Sequence, residues 1–364
     1  MAGPPPVVAR ARTAVRAALA ARLELLADDT AVGHLSPRLL VGCSGGADSL
    51  ALLAITAWVG SRMGLETEAV IVDHRLQESS AQVAERALAQ AQRLGLHGQV
   101  LSVDVDAGAP GGIENAARSA RHEALETALE ERSAIALLMA HTLDDQAEQV
   151  LMGLARGAGP RALAGIPRAR GPLLRPFLGT GRDETTALRR ADTEEICRVH
   201  DLEWWEDPMN ADETLLRSRV RHRALPLLRE ILGDQIDENL ARTADLVRPD
   251  VDHLDEEARE LLVSLRRDGG ELREDGDLLL LDVHALAAAP APLRTRILRD
   301  ASRSADRAIR PDGASGSTKS LLRRQVLAID ALVVSWRGQA AVPVPGRIEV
   351  ARRDGLLVWR RLDP

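Results

Sequence analysis

A glycine-rich turn follows an apolar run at residues 39–43 and leads straight into a helical pattern. The turn consists of Ser44, Gly45, Gly46, Ala47, Asp48 and Ser49. Its two glycines permit a tight backbone turn, and the amides at the start of the next helix favour an anion such as phosphate. The hydroxyls of Ser44 and Ser49 can donate hydrogen bonds to that anion. The turn lacks the Gly-Lys-Ser/Thr of common nucleotide triphosphatases, so it predicts a different kind of phosphate site.

The carboxylate of Asp48 needs its own explanation, because it would repel a phosphate. A carboxylate at this place is expected if it shares a Mg²⁺ ion with the phosphates. The alternative is that Asp48 only caps the helix. The position of the turn between a strand and a helix favours the nucleotide site.

A second cluster of polar residues follows the fourth apolar run. It contains His141, Asp144, Asp145 and Glu148, and the three acids are spaced to share one helical face. Acids beside a nucleotide can hold a metal, or they can bind the ammonium and α-amino groups of an amino acid. The alternative is an acidic first turn, capped by Thr142, that complements the helix dipole. Three acids within five residues exceed what a cap requires.

Two weaker signals come from other strand ends. Asp73 and His74 end the second apolar run, and Arg118 and Arg121 lie in the helical segment after the third. Asp73 and His74 are candidates to face the nucleotide. The residues alone leave open whether Arg118 is functional or is a solvated charge paired with Glu114.

The elements that would position these residues alternate along the chain from residue 38. Short apolar runs alternate with helical patterns, which predicts a parallel sheet covered on both faces. The predicted strands are residues 38–42, 68–73, 99–105 and 134–140, and the helices are 48–63, 79–94, 113–131 and 143–155. This is a doubly wound, Rossmann-like α/β domain. If strands one and four are neighbours at the topological switch point, the turn and the acids open onto one crevice.

The remainder of the chain predicts further helices and two hairpins. The hairpins would turn at Asp275-Gly276 and at Asp354-Gly355. Predicted helical segments are residues 182–200, 230–267, 286–307 and 321–336, with a flexible linker at 311–320. We predict a catalytic domain at 1–228, a helical linker at 229–245 and a smaller α+β domain at 246–364.

The composition restricts the setting of the protein. The net charge of −7 argues against a nucleic-acid partner unless a local basic face exists. Cys43 and Cys197 stand far apart and form no disulfide or metal pattern, which fits a reducing cytoplasm. No apolar run is long enough to cross a bilayer, so we predict a cytoplasmic protein without a membrane partner. The arginine-rich start is interpreted as an amphipathic helix, rather than as a transit peptide, because Val15 and Leu19 keep helical spacing.

The turn at 44–49 resembles the pyrophosphate-binding loop of the ATP pyrophosphatase, or PP-loop, superfamily, whose fold is the adenine-nucleotide alpha-hydrolase type. Seven further segments in order resemble one family, tRNA(Ile)-lysidine synthase. They are Val72-Asp73-His74, Ala116-Ala117-Arg118 with Arg121, His141 to Glu148, Arg156 to Gly159, Leu174-Arg175-Pro176, Glu206 to Asn210, and Arg217 to His222. The resemblance is strong over residues 36–230 and looser beyond them. It implies an ATP pyrophosphatase catalytic domain at 1–228 and a tRNA-binding or substrate domain at 246–364.

The resemblance implies a ligase that uses ATP and Mg²⁺. AMP would be transferred to the C2 oxygen of a cytidine in the anticodon of tRNA(Ile) with CAU, and free L-lysine would displace it. Residues 44–49 with Asp73 and His74 would bind ATP, while Asp48 and Asp145 would hold the metal. Asp144, Asp145 and Glu148 would bind lysine, and the catalytic residues would be Asp48, Arg118 and Asp145. The residues expected to bind tRNA are Arg156, Arg161, Arg217, Arg219 and Arg221.

The sequence departs from the family pattern at His122, Met209 and Ser218, which affects substrate contacts rather than the reaction. A tRNA thiolase of the same superfamily is the nearest alternative, but it would need reactive cysteines. A small-molecule ATP pyrophosphatase would not need the arginine-rich segments, and a non-catalytic nucleotide module would not need Asp48 with the acid cluster. Monomer and homodimer are both open alternatives.

Overall fold

The computed structural model describes residues 3–27, 37–76, 80–105, 113–181, 183, 186–309 and 321–362. The chain divides into two compact units, Met1–Arg248 and Pro249–Pro364. The predicted limits at residues 228 and 245 both fall inside the first unit, and the roles assigned to the three segments stay a prediction. The predicted linker at 311–320 lies outside the described residues.

The first unit contains a six-stranded sheet. Its strands are β1 (Arg38–Cys43), β2 (Glu66–Asp73), β3 (His97–Ser102), β4 (Ala136–Leu138), β5 (Ala169–Arg170) and β6 (Leu173–Leu174). Their order is β3-β2-β1-β4-β6-β5, and all neighbours are parallel except the pair of β5 with β6. The predicted doubly wound α/β fold is confirmed. Strands β1 and β4 pair directly, so the chain reverses its direction of winding between them.

Helices surround this sheet in the first unit. They are α1 (Pro6–Ala27), α2 (Ala47–Met63), α3 (Ser80–Arg93), α4 (Ile113–Glu131), α5 (Leu143–Ala155), α6 (Pro160–Leu163), α7 (Arg190–Val199), α8 (Leu216–Arg219), α9 (Leu225–Leu232) and the first part of α10 (Ile236–Leu265). A π-helical turn, Val220–Ala224, joins α8 to α9. The predicted amphipathic first helix forms, with Val15 and Leu19 buried. The predicted helix at 182–200 is too long, since α7 begins only at Arg190.

The central strand β1 shows how the sequence covers both faces of the sheet. Leu39 and Val41 are fully buried with residues of α1 and α2, whereas Leu40 lies in a second core with Leu125 of α4. Alternate side chains of a strand point to opposite faces, so an unbroken apolar run is required for a doubly covered strand. The carboxyl end of β1 is thereby fixed at the point where the loop at 44–49 begins.

The second unit is a smaller α+β arrangement, as predicted. It consists of β7 (Asp277–Asp282), α11 (Val283–Ala288), α12 (Ala291–Ala308), α13 (Arg323–Val334), β8 (Val342–Val344), β9 (Ile348–Arg353) and β10 (Leu356–Arg361). The antiparallel sheet has the order β7-β10-β9-β8, and Trp359 is fully buried in its core. No helix within the described ranges is long and apolar enough to cross a membrane.

One of the two predicted hairpins is wrong. The hairpin at Asp354-Gly355 joins β9 to β10, and both turn residues have positive φ. The described residues that precede Asp275-Gly276 form no strand that could pair with β7, apart from an isolated bridge between Arg266 and Leu281. Gly269 and Gly270 have φ of +82° and +49° and lead into a 3₁₀ turn, so β7 pairs with β10 instead. The Asp-Gly dipeptide indicates only a local turn. The strand that pairs with β7 is β10, which is distant in the sequence.

Candidate active site

The loop at 44–49 lies between the end of β1 and the start of α2. Gly45 has φ of +81°, and a Cβ atom built there would lie 3.3 Å from Cγ1 of Val83 on α3. Glycine is therefore required both by the backbone conformation and by the close approach of α3. The carbonyl of Gly45 accepts a hydrogen bond from the amide of Trp205 at 2.9 Å. The turn is held by two distant segments and presents the amino end of α2.

The two serines of the loop have different surroundings. Ser49 is buried, and its Oγ donates to the carbonyl of Gly46 at 2.9 Å and accepts from the amide of Ser44 at 3.1 Å. Ser49 therefore braces the loop from inside. The side chain of Ser44 is exposed, and its Oγ lies 3.3 Å from that of Ser49. Of the two hydroxyls, that of Ser44 is the more accessible to a ligand.

Asp48 stands in the first turn of α2 and is half-buried. Its Oδ1 accepts a hydrogen bond from Oγ1 of Thr193 on α7 at 2.5 Å. Burial and the negative charge of Asp145 raise the pKa of Asp48 to about 6, against the opposing hydrogen bond from Thr193. A carboxylate that is this costly to ionise favours a cation beside it.

Asp145 takes part in a capping box at the start of α5, as the alternative interpretation expected. Thr142 donates from its amide to Oδ2 of Asp145 at 2.8 Å, and Oγ1 of Thr142 accepts from the amide of Asp145 at 3.4 Å. The other oxygen of Asp145 accepts from Nη2 of Arg190 at 2.7 Å and from Nη2 of Arg217 at 2.9 Å. Asp145 is thus both a helix cap and the partner of two guanidinium groups.

Glu148 is fully buried and binds three guanidinium groups. Its carboxylate accepts from Nε of Arg217 at 2.7 Å and from Nε of Arg221 at 2.8 Å, and it lies 3.0 Å from Nη1 of Arg190. Although burial opposes ionisation, the charge of Arg190 and the hydrogen bond from Arg221 hold the pKa of Glu148 below its usual range. Arg190 and Arg217 likewise hold the pKa of Asp145 well below its usual range against burial.

The carboxylate of Asp144 contacts the start of α7. Its Oδ2 accepts from the backbone amide of Arg190 at 2.9 Å, and its Oδ1 lies 4.0 Å from Nη1 of Arg189. The three acids predicted as one cluster are therefore together, but they have different partners. All three carboxylates contact α7, which the sequence did not associate with the site.

The arginines predicted to bind tRNA fall into two groups. Arg217 and Arg221 are half-buried and are ion-paired with the acids, as described above. Arg156 and Arg219 are exposed, and Arg161 is half-buried in α6. The structure therefore brings Arg217 and Arg221 into the acid cluster, and leaves the side chains of Arg156 and Arg219 facing solvent.

The two arginines that the sequence places on α4, Arg118 and Arg121, have different surroundings. Arg118 is exposed, whereas Arg121 is half-buried and its Nε is a buried donor without a hydrogen-bond partner in the described part of the chain. Burial and the charges of Arg118 and Arg217 lower the pKa of Arg121. The charge of Arg121, together with burial, lowers the pKa of His74. An excess of positive charge thus collects where Arg118 was predicted to act.

Two further strand-end residues complete this region. Asp73 is buried, and its Oδ1 accepts from the amide of Arg75 at 2.9 Å. Burial lowers the pKa of His141 to about 3, even though the charge of Asp145 acts in the opposite direction. His141 is therefore a neutral imidazole near pH 7. Its Nδ1, like that of His74, is buried without a hydrogen-bond partner in the ranges given above.

The residues present fit a magnesium ion that is shared with a ligand. In the described ranges, no three His, Cys, Asp or Glu side chains converge as a metal-binding group. Mg²⁺ is usually bound by one or two carboxylates together with substrate phosphates, rather than by a protein cage. Asp48 meets this requirement, since it lies in the loop at 44–49 and Thr193 engages only its Oδ1. Asp145 has both oxygens engaged by protein donors.

Both cysteines are buried and reduced. Burial raises the pKa of Cys43, and burial with the charge of Asp48 raises the pKa of Cys197 to about 12. Thiols with such pKa values form few thiolates at neutral pH, which argues against sulfur-transfer chemistry. The Sγ of Cys197 instead donates to the carbonyl of Ala47 at 3.3 Å.

The helical segment that contains α7 was predicted from the sequence, but its contact with the candidate site was not. Arg190, Thr193 and Cys197 contact the loop or the acids from one helical face, although more than 40 residues separate them from either motif. Their spacing of three and four residues was visible in the sequence. Nothing local indicated what that face would contact.

Comparison with known proteins identifies the family. A family model described as a PP-loop domain matches residues 17–228. The protein named tRNA(Ile)-lysidine synthase in Thermobifida fusca is 44% identical over 358 residues, covering 98% of this chain and 99% of that one. The protein of the same name in Leifsonia xyli is 44% identical over 357 residues, and that in Mycobacterium tuberculosis is 42% identical over 354.

Among solved structures, a U34-tRNA thiolase from Methanococcus maripaludis superposes with a TM-score of 0.52 at 14% identity. It covers 67% of this chain and 80% of its own. At that identity the likeness supports the fold alone. The relatives, by contrast, match over almost their full length, so the resemblance drawn from the motifs is confirmed. The chain belongs to the tRNA(Ile)-lysidine synthase family of PP-loop proteins.

Proposed function

We propose that the protein attaches L-lysine to the wobble cytidine of the CAU anticodon of tRNA(Ile), and converts ATP to AMP and pyrophosphate. The names of its near full-length relatives support the reaction class. The observation that carries the proposal is the meeting of the phosphate loop and the acid cluster at the ends of β1 and β4. A site for ATP and a site for an ammonium group are needed side by side in this reaction.

The loop at 44–49 would hold the phosphates that leave as pyrophosphate. The amino end of α2 supplies backbone donors and a favourable dipole, and the exposed hydroxyl of Ser44 is within the same turn. Asp73 and His74, at the end of the neighbouring strand β2, are proposed to contact the nucleoside. The absence of a loop lysine fits cleavage between the α and β phosphates rather than transfer of the γ-phosphate.

Asp48 is the residue that we propose as the principal ligand of Mg²⁺. When bound, the ion neutralises the charge that develops on pyrophosphate as it departs. Asp145 would become a second ligand only if it released Arg190 or Arg217. In its present contacts, Asp145 contributes negative charge rather than an open oxygen.

The reaction would proceed in two displacements. First, the C2 oxygen of the cytidine attacks the α-phosphorus of ATP, the bond to the β-phosphate oxygen breaks, and pyrophosphate leaves. Second, the ε-amine of lysine attacks C2, a C–N bond forms, and the C2–O bond breaks with the departure of AMP. The amine attacks in its neutral form, keeps one N–H in the product and releases its other proton to solvent. Adenylation is needed because the unmodified oxygen is a poor leaving group.

The positively charged side chains of α4 would stabilise the charge on the α-phosphate. Arg118 was predicted for this role. Arg121 is better suited to it, because its side chain is more buried and its Nε has no hydrogen-bond partner in the described part of the chain. The half-buried guanidinium group of Arg121 would interact more strongly with developing charge than a fully hydrated one. We propose that Arg121 shares the role of Arg118.

Lysine binding would use the carboxylates of Asp144, Asp145 and Glu148. Because Glu148 already binds three guanidinium groups, an ammonium group of lysine would have to exchange with one of them. Arg217 or Arg221, once released, would be a partner for the carboxylate of lysine or for a tRNA phosphate. Arg156, Arg161 and Arg219 would extend the basic face along the tRNA backbone.

Incubation with ATP, Mg²⁺, labelled lysine and tRNA(Ile) carrying CAU tests the proposal. We expect lysine to become attached to the tRNA, with AMP and pyrophosphate released in equal amounts. Asp48→Asn should abolish this attachment, whereas Asp201→Asn, at an exposed turn, should not change it. Folded wild-type protein that attached no lysine would refute the proposed function. Sulfur incorporation in a parallel incubation that contains sulfide would favour the thiolase alternative.

A further inference from the structure

One face of α7 contacts both halves of the candidate site. Residues 190, 193 and 197 are three and four positions apart, so their side chains lie on the same side of the helix. Thr193 contacts Asp48, and the thiol of Cys197 donates to the carbonyl of Ala47, the first residue of α2. Arg190 contacts the acids of α5. The face therefore connects the phosphate loop to the acid cluster.

Thr193 is fully buried and lies against a single carboxylate. Its Oγ1 is 2.5 Å from Oδ1 of Asp48 and 2.8 Å from the carbonyl of Arg190. A hydroxyl carries one proton, and an ionised carboxylate is the stronger acceptor of the two. In the described part of the chain, no other side chain hydrogen-bonds the carboxylate of Asp48. Thr193 thus fixes one oxygen of Asp48 and leaves the second for another partner.

Arg190 fixes the place of Thr193 along the helix. Its amide donates to Oδ2 of Asp144 at 2.9 Å, while its guanidinium bridges Asp145 and Glu148. These three contacts join the first turn of α7 to the first turns of α5. The hydroxyl of Thr193, one turn later, is consequently held at a set position relative to the acid cluster.

We propose that Thr193 is a positioning residue that holds the carboxylate of Asp48 in the orientation that binds the metal–nucleotide complex. The inference rests on the proposed use of ATP and Mg²⁺ at this loop. Thr193 would not touch substrate. Its role is to remove the rotational freedom of Asp48, so that the oxygen not bound to Thr193 faces the shared cation.

Calorimetric titration with ATP, once in excess Mg²⁺ and once in EDTA, tests this role without tRNA or lysine. Thr193→Val keeps the side-chain volume but removes the hydroxyl. We expect it to weaken ATP binding about tenfold in Mg²⁺, the effect of losing one hydrogen bond to a charged group, and to leave binding in EDTA unchanged. Thr193→Ser keeps the hydroxyl and should bind ATP in Mg²⁺ with the affinity of the wild type. Thr193→Ala is measured in the same way, so that the test does not depend on the folding of one variant.

Glu195→Gln, on the exposed side of α7, is the matched control and should bind ATP as the wild type does under both conditions. Full affinity of Thr193→Val in Mg²⁺ would overturn the inference. Equal weakening in Mg²⁺ and in EDTA, with a lower unfolding midpoint, would also overturn it, because that result indicates a purely structural role. These measurements are independent of lysine attachment, so a failure of the proposed reaction and a failure of this inference are distinguishable.

Discussion

At the scale of the residue, Asp48 differs from Asp145 and Glu148 because its surroundings raise its pKa, whereas theirs lower it. Burial and the nearby Asp145 disfavour its ionised form, and they raise its pKa to about 6. A bound cation would stabilise the ionised carboxylate and lower this pKa. The sequence identified Asp48 through its place in the loop, but its burial and its contact with Thr193 depend on α7 and were not predictable from the motif.

This pKa predicts the pH dependence of the reaction. The ionised carboxylate is the form that would bind a cation, so activity should be complete above pH 7 and should fall as the pH decreases through about 6. For stability the sign is opposite. Because the folded pKa lies above the ordinary value of 3.8, folded protein loses stability as the pH rises from about 4 to about 6. A pH profile of kcat/KM for ATP, which reports the free enzyme, checks the first expectation, and an acidic limb centred near pH 4 would contradict it.

At the scale of the element, the site depends on contacts between helices that are distant in sequence. Alternating strand and helix patterns predicted β1 to β4. The pairing of β1 with β4, which the sequence analysis treated only as a condition, is found in the structure. The loop conformation followed from Gly45 and Gly46. The ion pairs of Glu148 with Arg217 and Arg221 were not predicted, because these residues are about 70 positions apart and each motif had a separate local explanation. The failed hairpin at Asp275-Gly276 has the same cause, since β7 pairs with the distant β10.

The arginine cluster around Glu148 predicts a large stability effect. Glu148→Gln would leave Arg190, Arg217 and Arg221 close together without their shared carboxylate, and we expect a loss of about 3–5 kcal/mol in the free energy of unfolding. The exposed pair of Glu194 with Arg198 is the matched control, and Glu194→Gln should cost less than about 1 kcal/mol. Urea unfolding of both variants makes the comparison. Equal losses would show that the buried network contributes no more than a surface pair.

At the scale of the whole molecule, the net charge of −7 must be reconciled with a polyanionic partner. Positive charge is concentrated around Arg118, Arg121 and Arg175, where burial and mutual repulsion lower the pKa values of Arg121 and Arg175. The pKa of Arg175 is lowered to about 10 by burial and by the charge of Arg118. A local basic region can therefore exist on an acidic protein, and association with tRNA should depend strongly on salt.

The salt dependence of tRNA binding tests the predicted basic face. Replacing Arg156 or Arg219 by Gln should reduce the slope of log affinity against log salt by roughly 0.7–0.9 for each phosphate contact that is lost. Arg16→Gln, an exposed arginine of α1, is the control and should leave the slope unchanged. Filter-binding titrations at several salt concentrations measure these slopes. An affinity that did not vary with salt would contradict the assignment of these arginines to tRNA.

We propose that the loop at 44–49 and the acid cluster together support the attachment of lysine to one anticodon base. Mass spectrometry of nucleosides, after reaction of tRNA(Ile) carrying CAU and complete digestion, examines that product directly. We predict the loss of one cytidine and the appearance of a nucleoside heavier by one lysine less one water, dependent on ATP and absent with Asp48→Asn. An unmodified cytidine, or a thiolated base in its place, would contradict the account.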